Sequence, residues 1–211
     1  MALSSRHFES DNITSDYHST EPEVNILMVG LDCCGKDNLI NSFVRNAECF
    51  SIESNPFACE YRCLFLFGEK KFRICIRNPT YINVMRPVYC KSVEDCYRRT
   101  NVVMYCYGID TPESLMMLQK LLIPKVRILT RTLPSLLVGN RVDLRNDPDT
   151  IRRLAQRKMQ PVTIDDGRRS REMFGINAFI ECLDMNSKSV SNVFRTAMNC
   201  FLGYSIRLSH R

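Results

Sequence analysis

The chain has only three histidines, and all lie near its ends: His7, His18 and His210. Their placement argues against histidine acid–base or triad chemistry in the body of the protein. There is also no CxxC pair among the 11 cysteines, so a zinc site is not expected. Most of the cysteines sit inside apolar runs, as at Cys63, Cys75, Cys106 and Cys182, where reduced thiols serve as small hydrophobes. No apolar stretch approaches the roughly 20 residues of a membrane span. The first residues lack the basic and apolar regions of a signal peptide, so a cytoplasmic location is expected. Signatures for nucleic-acid binding (RNP, helix-turn-helix, aromatic stacking) are missing too, and nucleic acid is not an expected partner.

The composition present is that of one globular domain, with 211 residues, 45% apolar and 25% charged. The net charge of +6 is uneven. Residues 1–23 hold one arginine against five carboxylates, a charge of −4, which leaves +10 on the rest. The opening segment is rich in Ser, Thr, Asp and Glu and reads as a disordered arm. A basic body suits anionic partners, whether nucleotide, lipid headgroup or acidic protein.

Short apolar strands alternate with helical patterns through the remainder. Strands are expected over 24–29, 102–107, 136–138 and 178–182, with an antiparallel hairpin formed by 59–67 and 71–77 around Gly68-Glu69. Helices are expected over 36–46, 88–99, from Asp110-Thr-Pro-Glu onward, 149–158 and 165–174, with Pro124 kinking or breaking the third. The clearest periodicity is Val190, Val193, Phe194, Ala197, Met198 and Phe201, one face of a last helix. The fold class is therefore α/β: a mostly parallel six-stranded sheet with one antiparallel hairpin and helices on both faces. The domain spans residues 24–202, with an insert helix at about 149–159 and a short tail at 203–211.

The strand 24–29 runs into Gly30-Leu-Asp-Cys-Cys-Gly-Lys-Asp37 and then a helix. This is the frame of a phosphate-binding loop, in which backbone N–H groups and a lysine cradle phosphates at a helix N-terminus. Its last position is Asp37 instead of the Ser or Thr whose hydroxyl would meet Mg²⁺. Cys33 and Cys34 lie beside Lys36, where a depressed pKa and redox sensitivity are one reading and plain packing the other.

Together with this loop, Leu137-Val-Gly-Asn-Arg-Val-Asp-Leu144 and the stretch 145–194 resemble a Ras-superfamily small G protein, the Rho family in particular. The latter stretch carries Arg145-Asn-Asp147, the insert, Gln160-Pro-Val162, Gly167-Arg168 and Phe179-Ile-Glu-Cys182. The resemblance covers about residues 24–202. It implies a P-loop G-protein fold, a role in signal transduction and a guanine-nucleotide site made by Gly30, Gly35, Lys36, Asp37, Asn140, Arg141 and Asp143. GTP or GDP is the implied cofactor, with Asn140 and Asp143 as the base-reading pair and Arg141 in place of the usual lysine. Asp143 is suited to this, because a carboxylate accepts two N–H donors from the guanine edge.

The metal and water side departs from the family. Asp37 replaces the hydroxyl, Asp32 stands at a glycine position, and Phe57 and Ala58 follow Pro56 where the first switch offers a threonine. The DTAGQ segment becomes Asn78-Pro-Thr-Tyr-Ile82, and no Gly or Gln occurs between Glu69 and Gly108. Magnesium binding and family-typical hydrolysis are therefore not expected, and no catalytic residue is assigned. Leu183-Asp-Met185 stands where the family makes a backbone contact to the base. The last residues show no CaaX cysteine and no polybasic run, so a prenyl anchor is not expected. Effector or regulatory proteins are the expected partners, through the switch-equivalent surface or the arginines of the insert and following helix. The alternative to a nucleotide-binding G protein is a nucleotide-free interaction module.

Overall fold

A computed structural model describes residues 21–45, 49–55, 60–80, 97–130 and 132–209, the segment 49–55 by its backbone. Most of the acidic arm, the Pro56–Ala58 segment, Tyr81, Ile82 and most of the helix expected over 88–99 lie outside the described residues.

The sheet is built from β1 (Glu23–Val29), β2 (Cys49–Asn55), β3 (Glu60–Phe67), β4 (Lys70–Arg77), β5 (Val102–Gly108), β6 (Ser135–Asn140) and β7 (Ala178–Cys182), in the order β2-β3-β4-β1-β5-β6-β7. β1 pairs in parallel with both β4 and β5, and β5-β6-β7 continue in parallel. The expected hairpin is β3–β4, turning at Gly68 with φ +62°. The six expected strands are joined by one more: β2 pairs antiparallel with β3 on the outer edge, Asn55 opposite Glu60 and Ile52 opposite Cys63. Its polar Ser, Glu and Asn residues carry little strand signal, because backbone pairing to an edge needs no apolar face.

Helices cover both faces. On one lie α1 (Lys36–Val44) and α6 (Ser187–Ser209), whose apolar residues join the sheet in a core containing Ile26, Met28, Phe43, Phe65, Met104, Val138, Val190 and Phe194. Phe43 stacks on Phe194 with ring centroids 3.6 Å apart and meets Phe65 edge-on at 5.2 Å. Each such side chain, fully buried, is worth about 1.5–3 kcal/mol. The period read in the sequence is the buried face of α6, and the helix continues through Ser209 into residues expected as a tail.

The other face carries α2 (Pro112–Met117), α3 (Ile123–Thr130) and α5 (Ile164–Met173), with α4 (Pro148–Ala155) as the insert. Pro124 does not end the α2–α3 run. Leu118–Leu122 widens into a π-helical turn in which the Ile123 N–H donates to Leu118 O, and α3 follows directly. Asp147 caps α4 by accepting from the Thr150 N–H at 2.7 Å, and Thr163 with Asp166 forms a reciprocal capping box on α5.

Arginines of the insert and of α5 are paired with nearby carboxylates. Arg152 pairs with Asp149, Arg153 with Asp110, Arg157 with Glu113, Arg168 with Asp165 and Arg169 with Asp166. A solvated, internally paired helix face is the reading this favours over a bare positive surface. Among the described residues, no helix is long and apolar enough to cross a membrane.

Candidate functional site

The chain leaves β1 toward one side of the sheet and later crosses to β5 on the other. β1 and β5 therefore flank the point where strand order reverses, and a crevice opens beyond the strands' carboxyl ends. Gly30, Asn78, Gly108, Asn140 and Asp184 all lie at or just past such ends.

The loop is shaped by contacts within the protein. A Cβ on Gly30 would stand 2.2 Å from the Cys106 carbonyl oxygen of β5, so only glycine permits this approach. A 3₁₀ turn over Asp32–Cys34 leads to Gly35, whose φ of +81° turns the chain into α1. A side chain there would also run into the Asn140 amide at 2.6 Å. The two glycines thus have packing reasons for being glycine that do not involve a phosphate.

Lys36 is 1% exposed. Its ammonium donates to Gly30 O at 3.0 Å and Leu31 O at 2.9 Å, and meets the exposed Asp32 carboxylate at 3.4 Å. All three N–H donors therefore have partners inside the loop. Asp37, at the start of α1, accepts a 2.6 Å hydrogen bond from the Asn78 side-chain amide. Asn78 is held there by the residue before it. Arg77 is buried, donates to Asn25 Oδ1 at 2.6 Å and pairs with Glu60 at 3.1 Å across β3–β4. Burial pushes the Glu60 carboxyl up, but the Arg62 hydrogen bond and the Arg77 charge outweigh it and hold the group below its ordinary value.

The base side is equally ordered. Asn140 is fully buried, and its amide donates to Cys34 O at 3.2 Å, Gly35 O at 3.3 Å and Asp184 Oδ2 at 3.1 Å. Arg141 takes the left-handed conformation, φ +61°. Its guanidinium donates to Cys33 O at 2.7 Å and pairs with Asp110 at 2.9 Å. Asp143, in the 3₁₀ turn that follows, is exposed. All seven site residues expected from the sequence thus lie along this crevice or in the turn beside it.

The two thiols at the loop differ. Cys33 is exposed, and partial burial and the neighbouring Cys34 raise its pKa despite Arg141 and Lys36. Cys34 is buried, and although burial pushes its pKa up, the Cys106 hydrogen bond and the Lys36 and Arg141 charges outweigh it and lower the pKa. Burial also lifts Cys75 to about 12 and Cys182 to about 11.

One residue at the site, Asp184, drew notice in the sequence only as a departure from a backbone contact. The structure buries it at 3% exposure and sets its carboxylate on Asn140. The turn after β7 holds it there: the Leu183 N–H donates to Ser189 Oγ at 3.0 Å and the Asn186 N–H to Leu183 O at 3.0 Å. The only signal available was a carboxylate immediately beyond a parallel strand's end.

The sequence model of the Ras family matches residues 87–202, more than half of the chain. The chain belongs to the Ras family. Within that superfamily it is Rho-like. It is 39% identical over 101 residues to the GTP-binding protein rho5 of Schizosaccharomyces pombe, covering 48% of this chain and 50% of that protein. It is also 39% identical over 106 residues to the GTP-binding protein RHO1 of Saccharomyces cerevisiae, covering 50% and 51%. The chain matches about half the length of these curated relatives. The family match includes Asn140, Arg141, Asp143 and Asp184 and begins after the phosphate loop and Asn78.

Proposed function

We propose that this chain is a Rho-like G-protein module of signalling type, acting in the cytoplasm on effector or regulatory proteins, that does not run a magnesium-dependent hydrolysis cycle. The observation that carries the reading is the hydrogen bond from Asn78 to Asp37. The family pattern pairs a hydroxyl at the first position with a carboxylate at the second. Here the carboxylate stands at the first and a neutral amide at the second, so one hydrogen bond replaces a metal site.

Magnesium does not fit this arrangement. The ion favours near-octahedral oxygen ligation, and the Asn78 amide at 2.6 Å takes up Asp37 Oδ1, leaving that side chain only Oδ2 to offer. Turning the amide over would set its oxygen against the carboxylate. Without the ion, Asp37 faces any phosphate as a like charge, a repulsion of about 4 kcal/mol at 4 Å and an effective dielectric near 20.

A second reading, passive binding of GTP or GDP, is favoured by the placement of buried Asn140 and half-buried Arg141 against the loop. In it, Gly30, Gly35 and Lys36 hold phosphate while Asn140, Arg141 and Asp143 meet the base. Single-turnover assays with GTP test the main reading. No phosphate release above the protein-free rate is expected, with or without magnesium. Release that needs magnesium and disappears in Lys36→Ala would overturn it.

A further inference from the structure

The Asn140 side-chain amide has two hydrogens and three acceptors around it: Cys34 O, Gly35 O and Asp184 Oδ2. Every N–H it owns is directed at the protein itself. Its Oδ1, by contrast, is buried with no hydrogen-bond partner. What this corner has left to offer a ligand is therefore dominated by acceptors: Asn140 Oδ1, the Asp184 carboxylate and, nearer solvent, the Asp143 carboxylate. Asp184 is also packed against the loop, with Oδ2 only 3.2 Å from where a Gly35 Cβ would stand.

We propose that Asp184 is a specificity-determining residue, whose carboxylate takes the Asn140 amide hydrogen and turns the base-side corner against guanine. A 6-oxopurine brings an acceptor to this corner, where both Asn140 amide hydrogens are already taken and the nearest side-chain oxygens are Asn140 Oδ1 and the buried Asp184 carboxylate. A purine carrying amino groups at both the 2- and 6-positions gives up the guanine N1–H at Asp143 but keeps the 2-amino donor there, and it brings a 6-amino donor that Asp184 can accept. Burying like-polarity groups face to face costs binding, while an acceptor left without its donor penalises the wrong ligand. The inference rests on reading this corner as the base side of a nucleotide site. It makes no use of the Asp37–Asn78 contact.

The experiment compares the native chain with Asp184→Ala and Asp184→Asn, titrating fluorescent GDP and the corresponding 2,6-diaminopurine riboside diphosphate in EDTA. Asp184→Ala leaves Cys34 O and Gly35 O for the two amide hydrogens. Asp184→Asn preserves shape should the alanine variant fail to fold, and thermal melting reports which variants are folded. Both folded variants are expected to gain affinity for GDP relative to the diaminopurine nucleotide by about tenfold or more, which is about 1.4 kcal/mol. An unchanged preference, or no gain in GDP binding by either folded variant, overturns the proposal. Either result leaves the hydrolysis reading untouched, and magnesium-dependent GTP turnover by the native chain overturns that reading alone.

Discussion

The base side and the phosphate side of the crevice are both closed by contacts within the protein, but by different kinds of residue. On the base side, Asn140 and Arg141 keep the family's positions and reach the loop through Cys34 O, Gly35 O and Cys33 O. The departure there, Asp184, comes from the neighbouring turn. On the phosphate side the departures are the central residues themselves, Asp37 and Asn78, and they bond to each other. The difference teaches that a P-loop frame can persist for reasons of packing after its chemistry has changed. Gly30 fits under β5, Gly35 supplies a left-handed turn, and Lys36 binds the loop that carries it.

The sharpest way to break this comparison is at Gly30. Gly30→Ala drives a methyl into the Cys106 carbonyl, and a loss of about 3 kcal/mol or more is expected in urea unfolding without any nucleotide. Unaltered stability would return the glycine to a purely ligand-binding role. Next in size is Arg77→Met, which leaves Glu60 without its cross-strand charge and removes the donor to Asn25. The expected loss is about 2 kcal/mol, below the 3–5 kcal/mol for a fully enclosed pair because Glu60 retains Arg62 and some solvent.

The same carboxyl gives a pH signature. Because the folded pKa of Glu60 lies below its ordinary 4.5, its contribution is fully present above that pH. It is lost as the pH falls through the lowered folded value. Glu60→Gln should flatten this acid limb of the stability curve, and an identical limb in both proteins would contradict the assignment. The smallest effect is expected on α5, the helix after the insert. Arg168→Ala breaks an exposed pair with Asp165 and should change stability by less than about 0.5 kcal/mol, as checked by thermal melting.

Much of this was legible in the sequence. Burial on both faces of β1, β5 and β6 shows as short apolar runs, and the single buried face of α6 shows as a helical period. The motif and the family resemblance marked Asn140, Asp143, Asp37 and Asn78 as members of or departures from a nucleotide site. What could not be read was who meets whom. The Asn78–Asp37 bond joins residues 41 apart, and the Asn140–Asp184 bond joins residues 44 apart, through strands that come together only in the sheet. Edge strand β2 was hidden for another reason: its apolar alternation is confined to Phe50-Ser-Ile-Glu53 and gives way to polar Ser54 and Asn55. Pro124 does not break the helix as one of the two expected outcomes had it, because the π-helical turn before it absorbs the missing N–H.

The most direct test of the central claim, that a hydrogen bond has replaced the metal site, is the melting temperature of the native chain with excess GDP or GTP, measured once in magnesium and once in EDTA. Any ligand that binds the folded state alone raises that temperature. The account predicts the same melting temperature in magnesium and in EDTA for each nucleotide. A clear rise that requires magnesium, and that grows with its concentration, would contradict it.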